Sequence, residues 1–206
     1  MRDIYVVTHT ESFHHIEGRV GGWYDTGLTE RGKTQAKKAA KRLADLIGTD
    51  QCKVISSDLL RASETADIIC KAFNCQATTT AGLREISFGK AEGKPQSWLA
   101  DRIRPAPDEN RLDHVSIEQG ETKREFVSRV YRAVDEVIGN EAQTNIIVTH
   151  GFALTFVVAR WIGMPAESAG FVNFRADSGG ITHLHEDDFW RNRSVMALND
   201  TSHLVE

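Results

Sequence analysis

Several features that would assign a chain to a class at once are scarce in this sequence of 206 residues. Its three cysteines, Cys52, Cys70 and Cys75, are too few and too scattered for a disulfide framework, so we predict reduced thiols. There is no apolar run long enough to span a bilayer and no recognisable N-terminal leader. We therefore expect a cytoplasmic protein that does not associate with membranes.

Positive charge is also not in excess. Lys and Arg number 25 and Asp and Glu number 29, which gives a formal net charge of -4. A chain with this balance is poorly suited to coating the phosphate backbone of a nucleic acid. A local basic pocket for a small anion remains compatible with the composition.

The chain does contain a regular alternation of short apolar runs and helical periods. Strands are predicted over 4–7, 53–55 and 145–149, with weaker signals over 171–174 and 181–185. Helices are predicted from Glu30, with Thr29 as the N-cap, over 62–73, from about Thr122, and over 152–162. In the first helix the apolar positions are 36, 39, 40, 43, 46 and 47. This order predicts an α/β fold: a doubly wound, mostly parallel sheet with helices on both faces, forming a single domain over residues 1–206.

One segment, residues 94–120, departs from this alternation. It contains three of the four prolines, Pro95, Pro105 and Pro107, and no apolar period runs through it. A segment of this length within one domain is often a lid or a binding loop. We predict a lid or specificity insertion, with a solvated surface excursion as the alternative.

Polar residues of similar type follow three of the predicted strands. The first strand runs into Thr8-His9-Thr10, and a later one runs into Thr149-His150-Gly151. Arg61 falls in the first turn of the helix after the strand at 53–55. The carboxyl ends of parallel strands meet at one edge of a sheet, next to helix N-termini that favour anions. The sequence therefore predicts an anion-binding site with two imidazoles and one guanidinium.

Two other kinds of site compete with this one. Residues 27–34 match the pattern of a phosphate-binding nucleotide loop, but the preceding 21–25 segment is a poor strand and 28–31 is typical of the start of a helix. Potential metal ligands are also present: His9, His14, His15 and His150, with Glu11 or Glu85. The spacing of the first three histidines matches no standard ligand pair, so we predict no metal.

A longer series of motifs runs through most of the chain. Beyond the first histidine they are 17–19 (EGR), 25–32 (DTGLTERG), 57–66 (SDLLRASETA), 83–89 (LREISFG), 120–122 (GET), 149–151 (THG) and 199–204 (NDTSHL). In this order they resemble the histidine phosphatase superfamily, also called the phosphoglycerate mutase-like family. The doubly wound α/β fold of that family agrees with the periodicity above.

The resemblance implies a phosphomonoesterase that acts on a small phosphorylated metabolite through a phosphohistidine on His9. It implies no metal and no organic cofactor. Arg61 and His150 would bind the phosphoryl oxygens, and Glu85 would protonate the leaving oxygen. An imidazole suits the nucleophilic role because it is neutral near pH 7, and fixed positive donors stabilise the charge of the transferring phosphoryl group. A carboxyl group beside a phosphate has its pKa raised by the like charge, which suits an acid.

The sequence departs from the family at the start of the site. The family carries Arg-His-Gly where this chain has Thr8-His9-Thr10, and often an asparagine where this chain has His15. Loss of one preorganised donor commonly costs about 3–4 kcal/mol in the transition state. The candidate substrate-binding residues are therefore Thr8, Thr10, His15, Arg61 and Trp23, and a protonated His14 or His15 could replace part of the missing charge.

Three functions follow from this inventory. The first is phosphomonoester hydrolysis; mutase transfer is less favoured, because mutases of the family carry larger insertions than 94–120. The second is an enzyme acting on a different substrate with the same fold, and the third is a non-catalytic protein that binds a ligand or partner. Retention of His9, Arg61, Glu85 and His150 together argues against simple decay. The expected partner is a small phosphorylated or other anionic substrate, and the sequence does not indicate whether the chain forms a homodimer.

Overall fold

Strand β1 (Arg2–Thr8) organises the fold because both of its faces are apolar. In the computed structural model, which describes residues 1–48 and 51–205, Ile4 and Val6 point to one side of the sheet and Tyr5 and Val7 to the other. All four are buried. A strand covered on both faces requires a layer of helices on each side.

The described sheet has six strands in the order β3-β2-β4-β1-β5-β6. The strands after β1 are β2 (Cys52–Ser57), β3 (Ala77–Thr80), β4 (Thr144–Thr149), β5 (Ile181–Glu186) and β6 (Arg193–Asp200). Strands β3, β2, β4 and β1 are parallel, whereas β5 runs antiparallel to β1 and β6 antiparallel to β5. The predicted doubly wound, mostly parallel α/β fold is confirmed.

Helices cover both faces of this sheet. They are α1 (Phe13–Ile16), α2 (Glu30–Ile47), α3 (Leu60–Phe73), α4 (Gln96–Ala100), α5 (Lys123–Gly139) and α6 (Gly151–Trp161). Helices α2 and α3 form one core with Tyr5 and Val7, and α5 and α6 form the other with Ile4 and Val6. None of the helices in the described residues is both long and apolar enough to cross a membrane.

Side-chain caps fix where two of the helices begin. The Thr29 hydroxyl accepts the Gly32 N–H at the start of α2, as predicted. At α5, Thr122 and Glu125 form a reciprocal capping box. Each cap satisfies backbone N–H groups that the first turn leaves without intrahelical partners.

Some sequence-based expectations are wrong. Residues 171–174 do not form a strand, because a 3-10 helix occupies Ala166–Phe171 and irregular chain follows it. Strands β3 and β6 are not predicted by the sequence pattern. Leu46 of α2 is 40% exposed and does not belong to the apolar face, since it lies at the edge of the stripe. The edge strand β6 has an exposed apolar face, so it lacks the pattern of a half-buried strand.

The 94–120 segment has a small core of its own. It includes α4 and a 3-10 helix at Arg111–Asp113, and it buries Leu99 and Ile117 against Val20 and Ala91. A β-bridge between Arg19 and Pro95 joins it to the loop after β1. This packing places the segment beside the loop that follows the first histidine.

Candidate active site

A cavity of about 370 Å³ opens at the carboxyl ends of β1, β2 and β4. Its lining includes His9, Arg61 and Glu85, which come from three different parts of the chain. Thr8 of β1 pairs with Thr149 of β4, so His9 and His150 leave the sheet side by side, with ring centroids 5.0 Å apart. A larger depression of about 620 Å³ lies along α5, away from the two histidines.

His9 is held in one tautomer by its two neighbours. Its Nδ1 lies 2.9 Å from the Thr10 carbonyl oxygen, which can only accept, so Nδ1 carries the proton. Its Nε2 carries no proton, and the lone pair of this nitrogen accepts the Arg61 Nε–H at 3.2 Å on the cavity side. Burial, reinforced by the nearby charge of Arg61, holds the pKa of His9 well below its usual range. The ring is neutral and nucleophilic at Nε2.

Arg61 is a buried cation at the floor of the cavity. Its Nη1 donates to the Tyr24 carbonyl at 2.9 Å and its Nη2 to the Gly22 carbonyl at 2.7 Å. A guanidinium has five N–H groups, so two remain for a ligand after these bonds and the one to His9. Burial lowers the pKa of Arg61 to about 10, which leaves it charged at neutral pH.

The turn that supplies these two carbonyls depends on Gly22. Its φ of +57° lies in the left-handed region, which L side chains rarely adopt. A Cβ at this position would also meet the Glu92 Oε1 at 2.9 Å. The glycine therefore lets the chain present its carbonyl to the buried guanidinium.

His150 lies behind His9 and is fully buried. Its Nε2 is 2.8 Å from the Ser57 hydroxyl at the end of β2, and Ser57 Oγ accepts the Leu59 N–H. Within the described residues its Nδ1 is buried without a hydrogen-bond partner. A buried imidazole nitrogen without a partner carries an energetic cost, which a bound anion would relieve in the tautomer that has the proton on Nδ1.

Glu85 is anchored by two backbone N–H groups. Its Oε1 accepts from Ile86 and its Oε2 from Phe152 in the first turn of α6, both at 2.9 Å. These bonds favour the charged form, but burial is the larger effect and raises the pKa of Glu85. The carboxyl group is thus oriented and more easily protonated than an ordinary glutamic acid.

Two side chains support Glu85 from behind. Its backbone carbonyl accepts Trp23 Nε1 and Arg129 Nη2, each at 2.7 Å. Arg129 also donates to the Arg84 carbonyl at 2.7 Å and is paired with Glu121. The indole N–H of Trp23 is therefore already used by the backbone, and Trp23 does not line the cavity.

Thr8 and Thr10 point away from the cavity. Thr8 Oγ1 donates to the Asp177 carbonyl at 2.5 Å, and the side chain is 3% exposed. Thr10 is buried with its hydroxyl 3.5 Å from that of Thr65 in α3. Their predicted contact with substrate would require either side chain to turn, and it stays a prediction.

His14 and His15 approach His9 from α1. The His15 ring stacks on that of His9 with centroids 5.4 Å apart, and the His14 and His15 ring centroids are 4.0 Å apart. Burial lowers the pKa of His14 to about 3, and burial also lowers the pKa of His15. The His14 ring is therefore neutral at mildly acidic pH and is a poor replacement for the arginine missing at position 8. That His15 replaces part of this charge stays a prediction.

The structure also bears on the two competing kinds of site. Helix α2 begins at Glu30, inside the supposed nucleotide loop, and the Gly32 and Lys33 N–H groups already donate to Thr29, so they are not free to bind a phosphate. Among the described residues, His9, His14, His15 and His150 do not form a set whose ligand atoms lie within 4.8 Å of one another. The cluster that meets this condition lies elsewhere and is described below.

Sequence reasoning named the four central residues, Arg61, His9, Glu85 and His150, and the structure brings them together. It missed Ser57 as the partner of His150 and Arg129 as the support of Glu85. Ser57 is the last residue of β2 and belongs to the polar run Ser56-Ser57-Asp58, which was a usable signal. Arg129 lies on the polar side of α5, and nothing in the sequence distinguishes it there.

Comparison with known proteins places this geometry in a family. The model of the histidine phosphatase superfamily (branch 1) matches residues 4–200. The chain belongs to the histidine phosphatase superfamily. It is 31% identical to the "Probable phosphoglycerate mutase GpmB" of Erwinia tasmaniensis, over 100% of this chain and 96% of that protein.

Solved structures agree on the fold. The alpha-ribazole phosphatase from Shigella flexneri has a TM-score of 0.79 and 26% identity, with 96% of each chain covered. YhfR of Bacillus stearothermophilus has a TM-score of 0.81 and 26% identity, with 100% of each chain covered.

Proposed function

We propose that the protein is a phosphomonoesterase that transfers a phosphoryl group from a small metabolite to His9 and then to water. The observation that carries the proposal is the His9 ring, neutral and fixed with Nε2 toward a cavity that holds a buried cation and a raised-pKa carboxyl group. Relatives named as a mutase and as an alpha-ribazole phosphatase handle phosphate esters by name, which supports the same substrate class.

In the first step, His9 Nε2 attacks phosphorus and the bond from phosphorus to the ester oxygen breaks. The proton of the Glu85 carboxyl group goes to the leaving oxygen, while the Nδ1–H stays on the Thr10 carbonyl. The two free N–H groups of Arg61 are available to the phosphoryl oxygens, whose charge they would stabilise in the transition state.

In the second step, water attacks phosphorus, Glu85 takes a proton from that water, and the bond from phosphorus to Nε2 breaks. Hydrolysis is favoured over transfer to a second hydroxyl because the cavity rim, with His15, Gly18 and Arg19, is exposed to solvent. Mutase transfer would instead give an isomeric phosphate ester and no inorganic phosphate.

His150 would bind a phosphoryl oxygen through the buried Nδ1 that lacks a partner. If the Ser57 hydroxyl donates to Nε2, Nδ1 carries the proton and becomes the donor. The proposal thus makes His9 the nucleophile and Glu85 the acid, and it assigns the phosphoryl oxygens to Arg61 and His150. Gln96 of α4 also lines the cavity, so the 94–120 segment is proposed to contact the part of the substrate outside the phosphate.

The pH dependence of phosphate release tests the proposal. Against a panel of phosphomonoesters from about pH 5 to pH 7.5, we expect kcat/KM to be highest on the acidic side. It should fall as the pH rises through the raised pKa of Glu85, because the acid is then deprotonated. It should fall in strong acid only when His9 becomes protonated below its lowered pKa.

The control for this profile is Glu85→Gln. Phosphate esters themselves ionise with a pKa near 6, so the profile of kcat/KM against pH contains a sloping limb that comes from the substrate and not from the enzyme. The limb due to Glu85 should be absent in the variant, whereas the limb due to the substrate should remain. No phosphate release from any ester at any pH would contradict the proposal and favour a non-catalytic binding protein.

A second prediction concerns the missing arginine. Thr8→Arg should raise kcat/KM on simple phosphomonoesters by about 10²- to 10³-fold, the usual effect of one preorganised donor. It should also lower the free energy of unfolding by about 1–3 kcal/mol, because the Asp177 carbonyl loses its buried donor. Both quantities are measured, by steady-state kinetics and by denaturant unfolding.

Thr8→Gln is the matched control, since it has similar reach and no charge. It should lose stability without gaining activity. A folded Thr8→Arg with no gain would mean that the cavity is built for a ligand other than a phosphomonoester.

A further inference from the structure

A cluster of three polar side chains lies at the end of the sheet opposite the cavity. Asp3 of β1 is directly across from His185 of β5, and His183 is two residues earlier on the same strand. Because side chains alternate along a strand, all three face the same side of the sheet, the side that α2 covers. The phosphatase mechanism proposed above uses none of them.

The ligand atoms of these side chains meet at one point. Asp3 Oδ1 lies 2.7 Å from His183 Nε2 and 2.9 Å from His185 Nδ1. All three atoms lie within 4.8 Å of one another. In residues 1–48 and 51–205, this is the one group of three or more His, Cys, Asp or Glu side chains that meets this distance condition. The side chains are 19–25% exposed, so an ion and its water molecules can reach them.

We propose that Asp3, His183 and His185 bind a divalent first-row transition metal ion such as Zn²⁺. Two imidazole nitrogens and one carboxylate oxygen are the donor set that this class of ion prefers. Three protein ligands leave at least one coordination position for water. Asp3 supplies one negative charge, and the two neutral rings add none.

The orientation of the ligands is partly fixed before the ion arrives. The His183 ring stacks on the buried Tyr5 ring, with centroids 4.4 Å apart and an interplanar angle of 9°. Metal bonds of about 2.0–2.2 Å place neighbouring ligand atoms roughly 3.3 Å apart, so each His–Asp contact opens by about 0.5 Å. The proton on each liganding nitrogen moves to the other ring nitrogen or to solvent, as metal binding requires.

The site is separate from the catalytic cavity. Asp3 precedes His9 by six residues along β1, a distance of about 20 Å at the usual rise of a strand. A bound ion would link β1 to β5, where the parallel part of the sheet meets the antiparallel part. We therefore assign the ion a structural role that does not depend on the proposed function.

Metal titration of the purified full chain tests the assignment. Zn²⁺ affinity is measured by competition with a chromophoric chelator, and Co²⁺ is used as a spectroscopic probe of ligand geometry. We expect one equivalent of Zn²⁺ and a low-symmetry Co²⁺ spectrum in the wild-type protein. Thermal unfolding should shift upward with Zn²⁺.

Asp3→Asn and His183→Gln are the test variants. Asp3→Asn keeps an acceptor oxygen for both imidazoles and removes the charge, so the fold should survive. Mutation of a residue that only hydrogen-bonds to a metal ligand already weakens metal binding about 10- to 100-fold. Loss of a ligand itself should therefore weaken Zn²⁺ binding at least about tenfold in each variant. His114→Gln, which changes a histidine whose Nε2 contacts the Arg104 carbonyl in the 94–120 segment, should bind like the wild type.

Equal binding by Asp3→Asn, His183→Gln and the wild type would overturn the assignment, because the ion would then sit elsewhere, for instance among the cavity histidines. Absence of binding by the wild type would overturn it as well. Thermal unfolding without metal shows whether each variant is folded. An upward shift with Zn²⁺ in the wild type but not in the folded variants supports the site.

Discussion

His9→Ala is expected to lower kcat on phosphomonoesters by about 10⁵-fold or more, the scale of losing a covalent nucleophile. Nε2 is the unprotonated ring nitrogen of His9, since Nδ1 donates to the Thr10 carbonyl, and its lone pair can attack once a bound phosphoryl group takes over the Arg61 Nε–H. Neither His15 nor His14 occupies the same position beside Arg61. Kinetics at saturating substrate give the rate.

The same variant should also lose the covalent intermediate. After rapid denaturation of enzyme mixed with labelled phosphomonoester, the wild type should carry a label that is lost in acid and retained in base, as expected for a phosphoramidate. His9→Ala should carry none. His203→Ala is the matched histidine control, and it should keep both the rate and the label.

Turnover retained by pure His9→Ala would remove His9 from the nucleophilic role and the phosphohistidine with it. Equal ligand binding by the wild type and by His9→Ala, with no turnover in either protein, would instead favour the non-catalytic function. The two outcomes differ in whether the wild type is active, so they cannot be confused.

Glu85→Gln is expected to lower kcat by about 10²- to 10⁴-fold on esters of ordinary alcohols. An ordinary alcohol is a poor leaving group unless its oxygen is protonated as it departs. Glu85 can supply that proton, because it lines the cavity and burial raises its pKa. With 4-nitrophenyl phosphate the loss should be much smaller, because that leaving group departs without a proton. The measurement is the fold-loss of kcat on an ordinary alkyl phosphate divided by the fold-loss of kcat on 4-nitrophenyl phosphate.

The amide introduced by Glu85→Gln would place an NH₂ against one of the two backbone N–H groups whose hydrogen bonds Glu85 now accepts, so some stability should be lost. Glu118→Gln, which changes an exposed carboxylate paired with Lys90, is the control and should affect neither substrate. Equal losses on both substrates with Glu85→Gln would mean that Glu85 positions the phosphate or the fold rather than supplying a proton.

Sequence reasoning succeeded where a residue's role follows from its own stretch of chain. Thr29 before an apolar period gives the start of α2, and the β-branched runs before His9 and His150 give β1 and β4. It failed where the pattern was weak. The short edge strand β3 and the exposed β6 lack a buried alternation, and the segment at 171–174 is apolar without being in the sheet.

The site shows the same division. That His9, Arg61 and His150 share one edge followed from the rule for parallel strands, without coordinates. That Thr8 points to the Asp177 carbonyl and not into the cavity did not follow, because Asp177 is 169 residues away in the chain. The Asp3, His183 and His185 cluster was equally invisible, since it depends on the register of β1 against β5.

The sequence by itself therefore determined the class of fold, the family and the four residues at the centre of the site. These depend on local periodicity and on motifs that are contiguous in the chain. Only the tertiary structure decided the tautomer of His9, the neutrality of His14 and the partner that His150 Nδ1 lacks. Those properties come from burial and from contacts between distant residues, and a linear pattern of residue types carries neither.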